Sequence, residues 1–267
     1  MGDTNMDLEL KGKRVLVTGA SKGLGLATVK AFLGEGAEVV GVARRSTAEF
    51  DATGAAFVAA DLAQPDGPQR MVETVLAADR RLDVLVNNAG GGDLPDEAFG
   101  DIFDGDDGVW ADVLALTLFS AVRVTRAALP ALTESRGAIV NISSDAGRRP
   151  GAGPLPYAAA KAALNSVSRG LAERLGASGV RVNTVSPSGM RTYIMEGKDG
   201  YVAKVAAHMG MDHAALLEAL PGQGGMLTGK LAEPDEVARA VLLLASPTIP
   251  SAIGSNWAVD AGAVKAV

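Results

Sequence analysis

A strand, a glycine-rich turn and a helix follow one another near the start of the chain, and this unit restricts the fold more than any other feature. The β-branched run at residues 14–18 leads into glycines 19, 23 and 25, and an apolar pattern typical of a helix follows at residues 26–33. Glycines let the backbone turn tightly, and a helix N-terminus offers unpaired N–H groups to a pyrophosphate. Three of 33 glycines can also form an ordinary turn, but the flanking strand and helix favour a binding site. The expected phosphate-binding residues are Gly19, Ser21, Lys22, Gly23, Leu24 and Gly25.

Short apolar runs alternate with helical patterns along the rest of the chain. Strand-like runs occupy residues 38–43, 56–59, 84–86, 138–143 and 256–259. This alternation predicts an α/β fold with a doubly wound parallel sheet of about seven strands and helices on both faces. With 267 residues and 48% hydrophobic composition, we expect one domain at residues 9–267 after a flexible arm at residues 1–8.

The second strand ends in Ala43-Arg44-Arg45, where an NAD-binding unit usually carries an acidic residue for the ribose 2′-hydroxyl. An arginine suits a 2′-phosphate, because its planar fork binds phosphate oxygens in pairs, and Lys22 adds a second positive charge. Arg44 and Arg45 therefore favour NADP(H) as the cofactor. NAD(H) remains an alternative, since both arginines can also be solvated loop charges.

A phenol, an ammonium and a hydroxyl occur in a pattern that suits proton transfer. Tyr157 and Lys161 are four residues apart, which places them on one face of a helix. Ser144 follows a buried strand and can reach the same face from the strand end. The three groups together indicate proton transfer to or from a substrate oxygen.

Composition excludes several other functions. The net charge is -6 and no basic run occurs, which argues against nucleic acid as a partner. The absence of cysteine excludes thiolate chemistry and fits a reducing cytoplasm. The polar N-terminus and the lack of a long uninterrupted apolar run predict a cytoplasmic protein without a membrane anchor.

His208 and His213 flank Asp212 but lack further ligand motifs, so no metal is expected. The acidic stretch at residues 91–112 is interpreted as a solvated loop.

In their order and spacing these motifs resemble the short-chain dehydrogenase/reductase family, in particular its 3-oxoacyl-carrier-protein reductases and hydroxysteroid dehydrogenases. The resemblance covers about residues 9–262 and implies a Rossmann-like catalytic domain. The matching motifs are Thr18-Gly19-x-x-x-Gly23-x-Gly25, Asp61, Asn87-Asn88-Ala89-Gly90, Ser144, Tyr157-x-x-x-Lys161, residues 187–192 and Val259-Asp260-Ala261-Gly262.

The resemblance also implies a role for each matching residue. Tyr157 is the general acid or base, Ser144 orients the reacting oxygen, and Lys161 binds the nicotinamide ribose. Residues at about 190–230 form a substrate lid, and the chain assembles as a homotetramer or a homodimer. Besides Tyr157, Lys161 and the residues of the turn and of positions 44 and 45, the implied cofactor contacts are Asp61, Leu62, Asn88, Ala89, Gly90, Pro187, Gly189, Met190 and Thr192.

The chain departs from the family pattern at three positions. Thr117 occupies the helix position where the family usually carries an asparagine that supports the proton relay. Ser188 replaces a glycine beside the nicotinamide, and Ala261 replaces a glycine after the last strand. The sequence thus predicts an NADP(H)-dependent oxidoreductase acting on a small carbonyl or secondary alcohol, most simply as a ketone or 3-oxoacyl-type reductase. The alternatives are an NAD-dependent alcohol dehydrogenase and a catalytically impaired NADP(H)-binding regulatory protein, which Thr117 alone favours.

Overall fold

The computed structural model describes residues 6–91 and 107–265. Its centre is a seven-stranded sheet in which every pair of neighbouring strands is parallel, in the order β3-β2-β1-β4-β5-β6-β7. The strands are β1 (Arg14–Thr18), β2 (Glu38–Ala43), β3 (Ala56–Ala59), β4 (Val84–Asn87), β5 (Ala138–Ile142), β6 (Arg181–Pro187) and β7 (Asn256–Val259). The prediction of a doubly wound parallel α/β sheet is confirmed.

Helices connect the strands and cover both faces of the sheet. They are α1 (Gly23–Gly34), α2 (Ala48–Asp51), α3 (Gly67–Ala78), α4 (Asp107–Leu114), α5 (Ser120–Ser135), α6 (Leu155–Leu175), α7 (Tyr193–Glu196), α8 (Tyr201–Met209), α9 (His213–Gln223) and α10 (Pro234–Ala245). A π-helical segment, Ala115–Phe119, joins α4 to α5 without a break.

Alternate residues of β1 divide the core into two layers, because successive side chains of a strand point to opposite faces. Val15 and Val17 pack on the layer that contains α1 and α10. Leu16 packs on the layer that contains α3 and α5. All five residues of β1 are buried, which explains why this strand reads as a continuous apolar run.

The helical run from α4 to α5, Asp107–Ser135, is long and apolar enough to cross a membrane by length and composition. In the fold 44% of its most apolar window is buried, and Val124 and Ala128 lie in the sheet–helix layer of the core. A core helix of a soluble protein passes the same test of length and composition. The helix also continues through Pro130 to Ser135.

The ordered core begins at Leu8, within the stretch expected to be a flexible arm. The Leu8 side chain is 8% exposed and belongs to the α1–α10 layer. Its carbonyl accepts a hydrogen bond of 2.7 Å from the Ser246 hydroxyl, which fixes the backbone at that point. Of the predicted acidic loop, residues 92–106 lie outside the described residues.

The strand order brings the predicted motifs to one edge of the sheet. Connections from β1 run outward to β2 and β3 on one side, whereas β4 to β7 extend on the other side. A crevice therefore opens beyond the carboxyl ends of β1 and β4, which is where ligands bind in folds of this kind.

Candidate active site

Ser144, Tyr157 and Lys161 lie together beyond the carboxyl end of β5. Ser144 follows that strand, and α6 presents Tyr157 and Lys161 one helical turn apart. The Ser144 hydroxyl is close enough to the Tyr157 phenol to lower the pKa of that phenol. The Lys161 ammonium lies 5.6 Å from the centre of the Tyr157 ring and donates to the Ile142 carbonyl at 2.7 Å. The structure thus brings the three predicted side chains into one cluster.

Burial shifts the proton affinities of this cluster in opposite directions. The Lys161 side chain is buried, which lowers its pKa to about 8 because the charged ammonium loses hydration. Burial likewise raises the pKa of Tyr157 to about 12, since the phenolate is the charged form. The neighbouring Ser144 hydroxyl opposes this rise in the Tyr157 pKa, whereas the Asp145 carboxylate adds to it.

The glycine turn is packed too tightly for side chains. A Cβ atom at Gly25 would lie 2.1 Å from the Gly19 carbonyl oxygen, and one at Gly19 would lie 2.9 Å from the Asn88 amide nitrogen. The Asn88 side chain donates to the carbonyls of Thr18 and Gly19, at 3.0 and 3.1 Å, and so fixes the turn to the end of β4. Gly19 and Gly23 also have positive φ angles, of 65° and 56°, which favour glycine.

The N-terminus of α1 has the features of a phosphate-binding site. Lys22 is the N-cap, no side chain makes a capping hydrogen bond there, and no acidic residue lies in the first turn. The unpaired N–H groups of the first turn and the helix dipole therefore favour an anion in the crevice. These residues fit the pyrophosphate of a dinucleotide, with its close approach permitted by Gly19 and Gly23.

The predicted determinants of a 2′-phosphate lie at the outer end of this crevice. Arg44 and Arg45 follow β2 and are exposed. Ser21 is close to them, because its carbonyl accepts a hydrogen bond of 2.8 Å from the Thr47 hydroxyl. Lys22 instead lies over the ring of Tyr193, with its ammonium 5.3 Å from the ring centre. The lysine thus connects the glycine turn to α7 rather than extending toward Arg44.

Asp61 and Leu62, two of the predicted cofactor contacts, differ in the atoms that they can offer to a cofactor. Asp61 accepts hydrogen bonds from the Ala63 amide and the Gln64 side chain, at 3.0 and 3.3 Å. Leu62 is 4% exposed and its side chain lies in the α3–α5 layer of the core. Leu62 therefore has only its backbone to offer to a cofactor.

The segment after β6 closes the opposite side of the crevice. Ala89 and Gly90 follow β4, whereas Pro187, Gly189, Met190 and Thr192 follow or end β6. A Cβ atom at Gly23 would contact the Thr192 methyl at 3.4 Å, so the glycine turn and the segment after β6 lie close together. Ser188, at the position of a family glycine, is buried, and its hydroxyl has no partner among the described residues.

Thr117 lies in the π-helical segment and is buried beside the corner that follows β4. A Cβ atom at Gly90 would lie 3.5 Å from its hydroxyl oxygen. The π-helical segment also packs against α6, which carries Tyr157 and Lys161. Insertions of this type are frequent at functional sites, because they change the direction of a side chain without ending the helix.

The predicted lid contains three short helices, α7, α8 and α9, that share a small apolar cluster. Val202, Ala206 and Leu216 are its buried members, and Met195 packs against them. Asp212 is the N-cap of α9, where its carboxylate accepts from the Ala215 amide at 3.0 Å. Within residues 6–91 and 107–265, no three histidine or acidic side chains are grouped as metal ligands would be.

Three further residues at or near the cluster were not predicted. Asp145 accepts a hydrogen bond from the Ser144 hydroxyl at 3.1 Å. Arg149 does not contact the cluster itself but donates to the carbonyls of Gly224 and Ala263, at 2.7 and 2.6 Å, and so joins the segment after β5 to the lid and to the segment after β7. Gly91 packs against the Tyr157 ring, because a Cβ atom there would lie 2.7 Å from the ring. The only sequence signal was the position of Asp145 directly after Ser144.

Comparisons with known proteins agree with this geometry. A family model described as short chain dehydrogenase matches residues 13–200. L-fucose dehydrogenase of Mus musculus is 34% identical, over 88% of this chain and 82% of its own. The 3-oxoacyl-acyl-carrier-protein reductase of Vibrio cholerae is 28% identical, over 96% of this chain and 98% of its own. The crystal structure of L-sorbose reductase from Gluconobacter frateurii, complexed with NADPH and L-sorbose, superimposes with a TM-score of 0.87 at 29% identity, covering 98% of this chain and all of that one. The chain therefore belongs to the short-chain dehydrogenase family of oxidoreductases.

Proposed function

We propose that the protein is an NADP(H)-dependent reductase that converts a ketone into a secondary alcohol. The observation that carries this proposal is the cluster of Ser144, Tyr157 and Lys161 beside the glycine turn. A bound nicotinamide supplies or accepts the hydride. The protein residues must then bind the substrate, orient it and move one proton.

Tyr157 is the proton donor in this proposal. In reduction, the carbonyl carbon gains a hydride, and the oxygen takes the Tyr157 phenol proton as the C=O double bond becomes a single bond. Its pKa of about 12 in the cofactor-free protein keeps the phenol protonated at neutral pH, which is the form that donates. Lys161, whose ammonium lies on the face of the phenol ring, stabilises the phenolate that remains.

The cofactor preference rests on charge. Arg44 and Arg45 stand at the end of β2 where an acidic residue would select NAD(H), and their planar guanidinium groups suit the oxygens of a 2′-phosphate. The NADPH complex of L-sorbose reductase supports the same preference. Asn88, Ala89, Gly90 and Thr192 are then expected to contact the nicotinamide half.

The names of the similar proteins support a polar or acyl ketone as the substrate. Their names include two sugars, L-fucose and L-sorbose, and one 3-oxoacyl group. Met195 and Met226 approach Gly189, at 3.2 and 3.3 Å from a Cβ atom placed there, and give the lid an adaptable apolar surface. We expect the enzyme to act in the cytoplasm as a homotetramer or a homodimer.

The first test compares the native protein with Tyr157→Phe on a panel of ketones and oxoacyl thioesters, following the absorbance of NADPH. The variant removes only the phenolic oxygen, so kcat is expected to fall roughly 100-fold to 10,000-fold. Binding of NADPH, measured by its fluorescence, is expected to persist in both proteins. A native protein that binds NADPH and reduces none of the panel would instead indicate the regulatory alternative.

The second test concerns the cofactor. Arg44→Ala and Arg45→Ala are expected to weaken NADPH binding roughly tenfold each, with little change for NADH, because a charge-assisted phosphate contact is lost. Arg80→Ala is the matched control. Arg80 is exposed and precedes β4, so it lies near the amino ends of the strands, whereas Arg44 and Arg45 follow the carboxyl end of β2. An unchanged ratio of NADPH to NADH affinity in both variants would contradict the NADP(H) preference.

A further inference from the structure

Asp145 places a buried carboxylate directly beside the reacting groups. It is 8% exposed and begins a turn of 3-10 helix, Asp145–Gly147, whose backbone is fixed by bonds from the Arg148 and Arg149 amides to the Asp145 carbonyl. The carboxylate accepts a hydrogen bond of 3.1 Å from the Ser144 hydroxyl. It is close enough to Tyr157 to raise the pKa of the phenol.

This carboxylate has unused capacity to accept hydrogen bonds. Two carboxylate oxygens can accept about four hydrogen bonds, and the Ser144 hydroxyl supplies one. Arg149 acts on it only at a distance, because the guanidinium donates to the Gly224 and Ala263 carbonyls. Burial raises the pKa of Asp145 despite these neighbours, so the hydrogen bonds do not fully compensate for the lost hydration.

The Ser144 hydroxyl has a single proton, and in the cofactor-free protein Asp145 receives it. Ser144 also accepts from the Ala146 amide at 3.2 Å. A substrate carbonyl oxygen at Tyr157 needs that same proton from Ser144. If Ser144 turns toward the substrate, Asp145 loses this donor and is left as a poorly solvated buried charge.

We propose that Asp145 is a substrate-binding residue that accepts a hydrogen bond from a hydroxyl group next to the reacting carbonyl, so that the preferred substrates are α-hydroxy ketones. This inference rests on the proposed reductase function. The substrate hydroxyl replaces the donor that Asp145 loses, and the Ser144 hydroxyl becomes available to the carbonyl oxygen. The 3.1 Å separation of the Ser144 and Asp145 oxygens suits a substrate whose two oxygens are on adjacent carbons. In the reverse direction the matching substrate is a vicinal diol.

A ketone without this hydroxyl leaves Asp145 unpaired in the complex. Sites built to bind a substrate hydroxyl discriminate strongly against analogues that lack it, because a buried polar group then has no partner. A difference of roughly tenfold to 100-fold in kcat/KM is expected from one such group.

The test uses two pairs of ketones in which a methyl group replaces the hydroxyl. These are hydroxyacetone with butanone, and acetoin with isopropyl methyl ketone. The native protein with NADPH is expected to prefer each hydroxy ketone by at least about tenfold in kcat/KM. In Asp145→Ala the preference is expected to disappear, because the acceptor is gone. Asp235→Ala, which removes an exposed carboxylate in the first turn of α10, should keep the native preference.

Thermal unfolding of the NADP-saturated protein provides a second readout. Hydroxyacetone is expected to raise Tm more than butanone at equal concentration in the native protein, and the difference should vanish in Asp145→Ala. Equal turnover of both members of each pair by the native protein overturns the role of Asp145 and leaves the reductase function intact. Failure to reduce any ketone of the four or of the larger panel overturns the reductase function, and the inference with it.

Discussion

Replacing Gly25 by alanine tests whether the glycine turn is packed as the structure shows. The added Cβ would lie 2.1 Å from the Gly19 carbonyl oxygen and 2.7 Å from the Asn88 amide nitrogen. The carbonyl must move by about 1 Å to restore an ordinary contact, and it belongs to backbone rather than to a flexible side chain. Overpacking of this kind costs about 3 kcal/mol.

Gly34→Ala is the matched control, because Gly34 is in the same helix and a Cβ atom there has nothing within 4 Å. Both variants gain the helix propensity of alanine, so their difference isolates the steric cost. Urea unfolding is expected to show Gly25→Ala less stable than Gly34→Ala by about 3 kcal/mol. NADPH fluorescence should show binding weakened at least about tenfold in Gly25→Ala alone, since the displaced turn forms the phosphate site. Free energies of unfolding within about 1 kcal/mol of each other, with equal NADPH affinity, would refute the packing argument.

Three further predictions concern buried or partly buried polar groups. Because the pKa of Lys161 falls to about 8 from an unfolded value of 10.5, the unfolded chain binds more protons between these values and stability rises with pH across them. Lys161→Met removes this rise, so its stability relative to the native protein should be greater at pH 7 than at pH 10, by up to about 3 kcal/mol in urea unfolding; parallel pH profiles would contradict the assignment. Thr28→Val and Ser188→Ala each remove a buried hydroxyl that has no partner among the described residues, and each should stabilise the protein by about 1 kcal/mol; a loss of stability would show that the hydroxyl is satisfied. Arg181 donates hydrogen bonds to four carbonyls, two in the last turn of α10 and two in the segment that follows it. Arg181→Leu should therefore lower the free energy of unfolding by about 3 kcal/mol. The control Arg174→Leu, at an exposed position, should change it by less than about 0.5 kcal/mol.

Local patterns were sufficient for the elements that position the site. Residues 14–18, 56–59 and 256–259 were predicted as strands with the bounds that the structure shows. The signal was strongest for β1, which is buried throughout and reads as a continuous apolar, β-branched run, whereas β3 and β7 are partly exposed. The helix that carries Tyr157 and Lys161 was predicted from their spacing. The π-helical segment Ala115–Phe119 was not predicted, because the apolar pattern of the sequence does not distinguish π-helical from α-helical turns.

The active-site cluster was predictable in its members but not in its hydrogen bonds. The four-residue spacing of Tyr157 and Lys161 is a property of any helix. The burial that lowers the pKa of Lys161, and the Ile142 carbonyl that accepts from its ammonium, depend on how α6 packs against β5. The role inferred for Asp145 depends likewise on a contact with Ser144 that adjacency in the chain permits but does not require.

By itself, the sequence determined six of the seven strands, the glycine turn and the types of residue available for chemistry, because each of these is encoded within a few neighbouring positions, whereas β6 (Arg181–Pro187) was not predicted. Only the tertiary structure decided which groups meet across long separations in the chain. Asn88 fixes the turn at Gly19, Arg149 joins Gly224 and Ala263, and Ser188 is left without a partner among the described residues. Such contacts follow from the packing of whole elements, and no local pattern of residues specifies them.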